Sequence, residues 1–261
     1  MRSQYDGVCL EQSEKIGMNL LNSSKTLAEM ILENFLSVQE RMERAAQRAG
    51  RNREEIQLIG VTKYVDSTVT RLLVEAGCSD LGESRPQSIW EKSASLEDLE
   101  VRWHLIGHLQ RNKVKRTIPL LSVMHSLDSD RILQHLIEEI GVRPNPLRLL
   151  LEINVSGDAE KTGLSISEGE QLLDRWQKIA ADSQGLRIVG LMGMGSATGG
   201  LERARCDFEA LRKLRDRWAI RFGMPLKELS MGMSDDFEIA IEQGATMVRV
   251  GSVLFANIDT Q

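Results

Sequence analysis

From Ile56 onward, short apolar runs alternate with amphipathic helical stretches almost to the end of the chain. The apolar runs are Ile56–Val61, Cys78–Gly82, Arg102–Gly107, Leu121–Ser126, Leu147–Asn154, Leu186–Leu191, Glu228–Ser230 and Ala245–Val250. Their shortness and their flanks of charge, glycine or proline are what buried strands show. Between them the spacing predicts helices over Ser67–Ala76, Asp128–Ile140, Ser167–Ala181 and Asp235–Gly244. A longer helix carries Ala204, Phe208, Leu211, Leu214, Trp218 and Phe222 on one face. Strands that alternate with helices predict a parallel sheet, because parallel neighbours need a crossover. Eight such units in roughly 200 residues fit a single closed (β/α)8 TIM barrel of the α/β class. An open doubly wound sheet is the alternative, but no Gly-x-Gly-x-x-Gly turn follows the first strand.

One helix precedes the barrel. Leu27, Met30, Ile31, Phe35, Val38, Met42 and Ala45 recur at spacings of three and four, Asn22-Ser23-Ser24 offers cap chemistry, and Gly50 closes the pattern. Coming before the first strand, this helix must pack on, or plug, the barrel built after it. Residues 1–24 are polar and mixed and read as a mobile leader, which leaves residues 25–261 as the barrel domain. The apolar fraction of 41% suffices for such a core. The net charge of −5 argues against a nucleic-acid partner, which wants a basic face. Cys9, Cys78 and Cys206 form neither a disulfide framework nor a zinc spacing, so a reducing, cytoplasmic compartment is expected. No apolar signal core and no membrane-length apolar run occurs, so no membrane partner is expected.

In a barrel of this kind, chemistry gathers at the C-terminal ends of the strands. Lys63 ends the first. Lysine is rarely buried. Either its stem lies along the barrel while the ammonium reaches water, or its amine sits partly dry and forms a Schiff base with an aldehyde. Small and polar residues collect at the same face: Gly82-Glu83-Ser84, His104, Gly107, His108, Gln110, His125, Ser126, Asn154, Ser156, Met192 and Gly193. After strands seven and eight, Ser230-Met231-Gly232-Met233-Ser234-Asp235 and Gly251-Ser252 put glycines, hydroxyls and a helix start where barrels commonly hold phosphate. The same residues serve equally well to turn the chain and cap a helix. Arg249 either pairs with a carboxylate in the wall or faces a ligand ring nitrogen, keeping that nitrogen unprotonated and a poor electron sink. His104 and His108 lack a zinc-type pattern, and no metal is expected. Arg111, Lys113, Lys115 and Arg116 read as a solvated helix face, and Asp235-Asp236 as helix capping.

Several segments carry a more specific signal: Val61-Thr62-Lys63, Gly82-Glu83, Trp103–Lys113, Glu152–Ser156, Lys161–Leu164, Gly190–Met192, Leu229–Phe237 and Val248–Ser252. With Ser-Met-Gly-Met-Ser-Asp-Asp over 230–236 the most distinctive, they resemble the YggS/PROSC family of pyridoxal 5′-phosphate (PLP) homeostasis proteins, from about residue 25 onward. The family is similar to the barrel domain of alanine racemase and bacterial ornithine decarboxylase-type enzymes, standing alone. The resemblance implies that Lys63 carries PLP as a Schiff base. It implies that Ser230, Gly232, Met233, Gly251 and Ser252 hold the phosphate, and that Arg249 approaches the pyridine nitrogen. Asn154 and Met192 would also border the cofactor. So would Ser84, which stands where the family usually has Asn, and the ring hydrogen bond of an asparagine amide does not carry over to it.

The implied function is vitamin B6 homeostasis: a monomer that buffers PLP or donates it to apo PLP-dependent enzymes, without significant turnover. Racemases of this fold bring a tyrosine base from a second domain, and two-faced acid/base catalysis needs such a second group. The chain ends soon after strand eight, and its tyrosines are Tyr5 and Tyr64. The alternative is an amino-acid racemase or lyase in which Lys63 is the only base.

Overall fold

In the computed structural model, which describes residues 25–155, 162–196 and 198–258, eight parallel strands pair in sequence order and the last closes on the first. They are β1 (Gln57–Val61), β2 (Asp80–Glu83), β3 (Arg102–Leu105), β4 (Leu121–Leu127), β5 (Leu147–Glu152), β6 (Leu186–Met192), β7 (Glu228–Ser230) and β8 (Met247–Val250). This is the expected TIM barrel. The leader, the cap triplet Asn22-Ser23-Ser24, Cys9, Tyr5 and Ser156 lie outside the described residues.

The helices are α1 (Leu27–Arg48), α2 (Ser67–Glu75), α3 (Pro86–Ser95), α4 (Val114–Thr117), α5 (Asp130–Ile140), α6 (Ile166–Ile179), α7 (Gly200–Phe222) and α8 (Phe237–Glu242). The apolar periodicity misses α3, and the sequence shows α4 only as the charged helix face read over Arg111–Arg116. The buried stripe of α3 is Pro86, Ile89 and Lys92, so a lysine occupies a place where the pattern needs an apolar residue. Helix α4 is a single turn, too short to show a period. The strand read over Cys78–Gly82 slides to Asp80–Glu83, because the Cys78 N–H still bonds back to the Leu73 carbonyl at the end of α2.

Helix α1 is capped by Thr26 rather than by the triplet before it. The Thr26 hydroxyl takes the Glu29 N–H and the Glu29 carboxylate returns to the Thr26 N–H, a capping box. It buries Ile31, Phe35, Val38, Met42, Ala45 and Ala46 along one stripe. It packs on the outside of the barrel against α8 and does not plug its lumen. The Asn34 amide donates to the Leu254 and Ala256 carbonyls at 3.2 and 3.0 Å, and Arg41 and Arg48 pair with Glu238 and Glu242. This fastens α1 to the segment that comes after β8, at the C-terminal end of the barrel.

Inside the barrel, Ile59, Val123, Leu150, Met192 and Met247 form an inner apolar layer, separate from the larger core between strands and helices. Side chains two apart on a strand share a face. His125 therefore points inward with Val123, and Arg249 with Met247. The interior is thus apolar at its waist and carries buried polar groups above and below it.

Candidate functional site

Beyond β1 the chain leaves the barrel through Thr62 and Lys63. Thr62 is fully buried, and both its polar groups are held. Its hydroxyl donates to Glu83 Oε1 at 2.6 Å, and Lys92 Nζ from α3 donates to the same carboxylate oxygen at 2.6 Å and to the Thr62 carbonyl at 2.7 Å. The residue before Lys63 is therefore fixed, and that fixes where the lysine departs from the wall. Lys63 itself is exposed, with Nζ 4.8 Å from the centroid of the Tyr64 ring. The stem runs from the barrel wall and the amine reaches the space at the barrel mouth.

Lys63 borders a cavity of about 420 Å³ at the C-terminal face of the barrel. Val61, Val65, Ile106 and Phe255 give its apolar surface, and Tyr64, Met233, Ser234, Asp235, Arg249, Gly251 and Ser252 complete the wall. Because Ser252–Phe255 belongs to the segment that Asn34 holds, α1 braces this wall from outside. Arg249 rises from the interior on β8, 5% exposed. It donates from Nη1 to Ser230 Oγ at 2.7 Å and from Nη2 to the Gly193 carbonyl at 3.2 Å, not to a carboxylate. Burial pushes its pKa down to about 10 against the pull of the Asp236 and Glu152 carboxylates, so it stays a cation at neutral pH. Of the two fates the sequence allows this arginine, pairing with a carboxylate is not the one seen.

The turn after β8 brings backbone and hydroxyl donors to the same wall. The Gly251 N–H donates to Ser234 Oγ at 3.2 Å. A Cβ on Gly251 would lie 3.3 Å from the Val61 carbonyl oxygen, so the strand ends of β1 and β8 approach too closely for an easy side chain there. Gly232 is needed for a different reason. Its φ is +92°, and a Cβ would meet Ala240 Cβ at 2.5 Å and Phe237 Cα at 2.9 Å. That glycine turns the chain onto α8. Asp236 does not cap α8 with its side chain; its Oδ1 turns back to accept the Met233 N–H at 2.6 Å and braces the loop. Burial raises its carboxyl pKa, partly offset by that bond and by Arg249.

The cavity wall thus gathers Lys63, Met233, Arg249, Gly251 and Ser252. Ser84, Asn154, Met192, Ser230 and Gly232 stand outside it. Met192 belongs to the inner apolar layer, and the hydroxyl of the fully buried Ser230 lies between His125 and Arg249. Gly232 packs on α8, the Asn154 N–H bonds to the Leu164 carbonyl, and Ser84 is half-buried with its carbonyl against Gly107. Sequence reasoning missed Ile106 and Phe255 as wall residues, while Ser234 lies in the segment it set on the phosphate side. Ile106 and Phe255 look like core from their types.

His104 and His125 are both fully buried, as packed strand histidines are expected to be. At the rim, ligand-capable atoms of His108, Asp128 and Glu152 lie within 4.8 Å of one another. Each has a protein partner: His108 Nδ1 is 2.5 Å from Asp128 Oδ2, and Glu152 accepts the Thr162 hydroxyl at 2.6 Å. The basic residues Arg111, Lys115 and Arg116 are exposed, and Arg116 stacks 4.0 Å over the Trp90 ring. Among the described residues no helix is long and apolar enough to cross a membrane.

Residues 36–258 match the family model of the alanine racemase N-terminal domain. The chain is similar to the pyridoxal phosphate homeostasis protein of Aquifex aeolicus, with 37% identity over 224 residues, 85% of this chain and 96% of that one. It is similar to the protein of the same name from Pseudomonas aeruginosa, with 36% identity over 229 residues, 88% of this chain and 96% of the other. Among solved structures, PipY of Synechococcus elongatus, solved with PLP bound, superposes with a TM-score of 0.72 at 29% identity, covering 83% of this chain and 100% of PipY. Together with the barrel and its cavity, these matches show that the chain belongs to the family of pyridoxal phosphate homeostasis proteins, built on the alanine racemase N-terminal domain.

Proposed function

We propose that this protein binds PLP in the cavity between Lys63 and Arg249 and maintains the cellular PLP supply, without significant catalytic turnover. One observation carries the reading. An exposed lysine amine, a buried arginine hydrogen-bonded to no carboxylate, and the turn in which the Gly251 N–H meets the Ser234 hydroxyl beside Ser252 all meet on one cavity of about 420 Å³. These are the complements of an aldehyde, a pyridine nitrogen and a phosphate. PLP, when bound, supplies a reactive aldehyde and an electron-withdrawing ring. Lys63 would hold the aldehyde covalently, Arg249 would face the ring nitrogen, and Gly251, Ser252 and Ser234 would donate to the phosphate. Ser230, Gly232 and Met192 would support that site from behind, and Ser84 and Asn154 would border it.

The carrier role is supported by what stands beside Lys63. The other titratable wall residues are Tyr64, Asp235 and Arg249; Tyr64 is 76% exposed and Asp235 is exposed. Water around such groups competes for their hydrogen bonds and screens the charges that catalysis must stabilise. The same exposure gives an incoming amine a route to the aldehyde, so PLP can leave, whether to free amines or to apo PLP-dependent enzymes. The protein would act as a cytoplasmic monomer; Cys78 and Cys206 are free thiols, as a reducing compartment allows.

The test is paired. Purified protein should be yellow, and borohydride should fix one PLP on the peptide containing Lys63; Lys63→Ala should lose both the band and the label. Racemisation, decarboxylation and transamination are assayed beside reactivation of an apo PLP enzyme. Turnover on the order of 1 s⁻¹ or faster would restore the enzyme reading.

A further inference from the structure

Asp80, His104, His125, Ser230 and Arg249, from five different strands, form one hydrogen-bonded line through the barrel interior. Asp80 Oδ1 is 3.1 Å from His104 Nε2, His104 Nδ1 is 2.9 Å from His125 Nε2, and His125 Nδ1 is 2.8 Å from Ser230 Oγ. Arg249 Nη1 completes it at 2.7 Å from the same hydroxyl. None of the five is more than 6% exposed. One end of the line opens on the cavity through Arg249. The other meets Arg102, which grips both carboxylate oxygens of Asp80 at 2.7 and 2.5 Å and has a largely exposed side chain.

The direction of every link follows from donor counting. Burial alone would raise the Asp80 pKa, but hydrogen bonds from His104, Arg102 and Gln57 outweigh it and hold the carboxyl well below its usual range. An ionised carboxylate only accepts, so His104 Nε2 bears a hydrogen. Burial lowers the pKa of His104 despite Asp80, and drives His125 lower still with help from His104, Arg249 and Arg148. Both rings are therefore neutral, with one N–H each. His104 Nδ1 must accept, so His125 Nε2 donates to it. His125 Nδ1 must then accept from the Ser230 hydroxyl, and Ser230 Oγ accepts from Arg249. The reverse order would need the Asp80 carboxyl to donate to His104 Nε2, and a carboxyl held ionised has no hydrogen to give. The groups facing the line are Arg102 and Arg148 near Asp80 and the two rings, and Asp236 and Glu152 near Arg249.

We infer that Asp80, His104, His125 and Ser230 are positioning residues for Arg249: their one-way chain fixes the orientation of the guanidinium at the cavity and couples its charge to the carboxylate at the far end of the barrel. Resting on the PLP reading, the group so addressed is the cofactor's ring nitrogen. A fixed, compensated cation there keeps the nitrogen from taking a proton, and its strength is adjusted from the opposite end of the barrel. A merely structural network would hold the strands together but would leave the cofactor's electronics alone.

The first test needs neither a variant nor the cofactor. Long-range proton–nitrogen spectra of the full chain with labelled histidine should show two buried rings, both in the Nε2–H form, with the pattern kept from about pH 8 to about pH 6. A Nδ1–H form or a doubly protonated ring at either position overturns the chain. The second test uses PLP-loaded protein, with PLP content measured beside the pH midpoint of the visible band. Asp80→Asn removes a negative charge, disfavours the protonated chromophore and should move the midpoint down by about half a pH unit or more. Ser230→Ala should move it too. Midpoints unmoved in both variants at full PLP content overturn the positioning role. If the wild-type protein takes up no PLP, the cofactor reading fails, and the histidine spectra still decide the chain.

Discussion

Replacing Lys92 with Met removes the counterion of a carboxylate that water does not reach. The Glu83 side chain is 0% exposed and that of Lys92 8%. Nζ serves Glu83 Oε1 and the Thr62 carbonyl, while Glu83 Oε2 already lacks a hydrogen-bond partner. Methionine fills nearly the same stem volume, so packing is kept and the loss is electrostatic. Stranding a buried charge in this way costs about 3–5 kcal/mol, and the lost bond to the Thr62 carbonyl adds about 1 kcal/mol. Against the 5–15 kcal/mol typical of a folded domain this is a large fraction. The unfolding free energy of Lys92→Met, from urea titration followed by tryptophan fluorescence, should fall by about 4–6 kcal/mol with the slope against urea unchanged. Glu83→Gln in the Lys92→Met background should recover much of that, because the stranded charge is then gone. Thr62 precedes Lys63, so PLP affinity should fall with stability in the single variant. A cost below about 1 kcal/mol, with the two substitutions additive, would show that the pair is not a compensated buried charge and would refute the reasoning.

Gly251→Asp places a carboxylate at the cavity wall where the phosphate donors stand; several kcal/mol of repulsion should weaken PLP binding by at least about tenfold with the far-ultraviolet circular dichroism unchanged. Unaltered affinity would move the phosphate elsewhere. Stability should also fall on mild acidification. His125 is held neutral by burial first and then by His104, Arg249 and Arg148, and His104 by burial against Asp80, so both folded pKa values lie below the unfolded value of about 6.5. Their contribution is complete above about pH 6.5 and is lost as pH falls, by about 1 kcal/mol from His125 alone between about pH 6.5 and 5.5. Asp80, with its pKa depressed, contributes in the other window: its share persists until the pH drops below the unfolded carboxylate value of about 3.9. Urea midpoints measured across this range give the answer, and a flat profile from neutrality to pH 5 would contradict the neutral pair.

Strand–helix alternation was legible because strands buried on both faces read as continuous apolar runs, and the strand ends then pointed to Lys63, Arg249 and Gly251 without any knowledge of contacts. Helix α3 was not legible, since its inward stripe includes Lys92, and no periodicity argument anticipates a lysine facing a carboxylate. The interior chain was hidden by distance: Asp80 meets His104 across 24 residues and His125 meets Ser230 across 105. One signal was available. Alternation along β4 and β8 sets His125 beside Val123 and Arg249 beside Met247, and so puts two titratable groups inside a barrel that could have been apolar throughout. That choice carries a physical implication. Buried ion pairs and polar chains are commonly no more stabilising than the apolar residues that could replace them. Yet this barrel has one of each, and each leads to a charged residue of the cavity wall: Glu83 and Lys92 hold Thr62, the residue before Lys63, and Asp80 through Ser230 hold Arg249. A barrel selected for stability alone would have no need to set its two cavity cations on buried polar supports. One that must present an amine and a guanidinium to the same small ligand at fixed positions does need them.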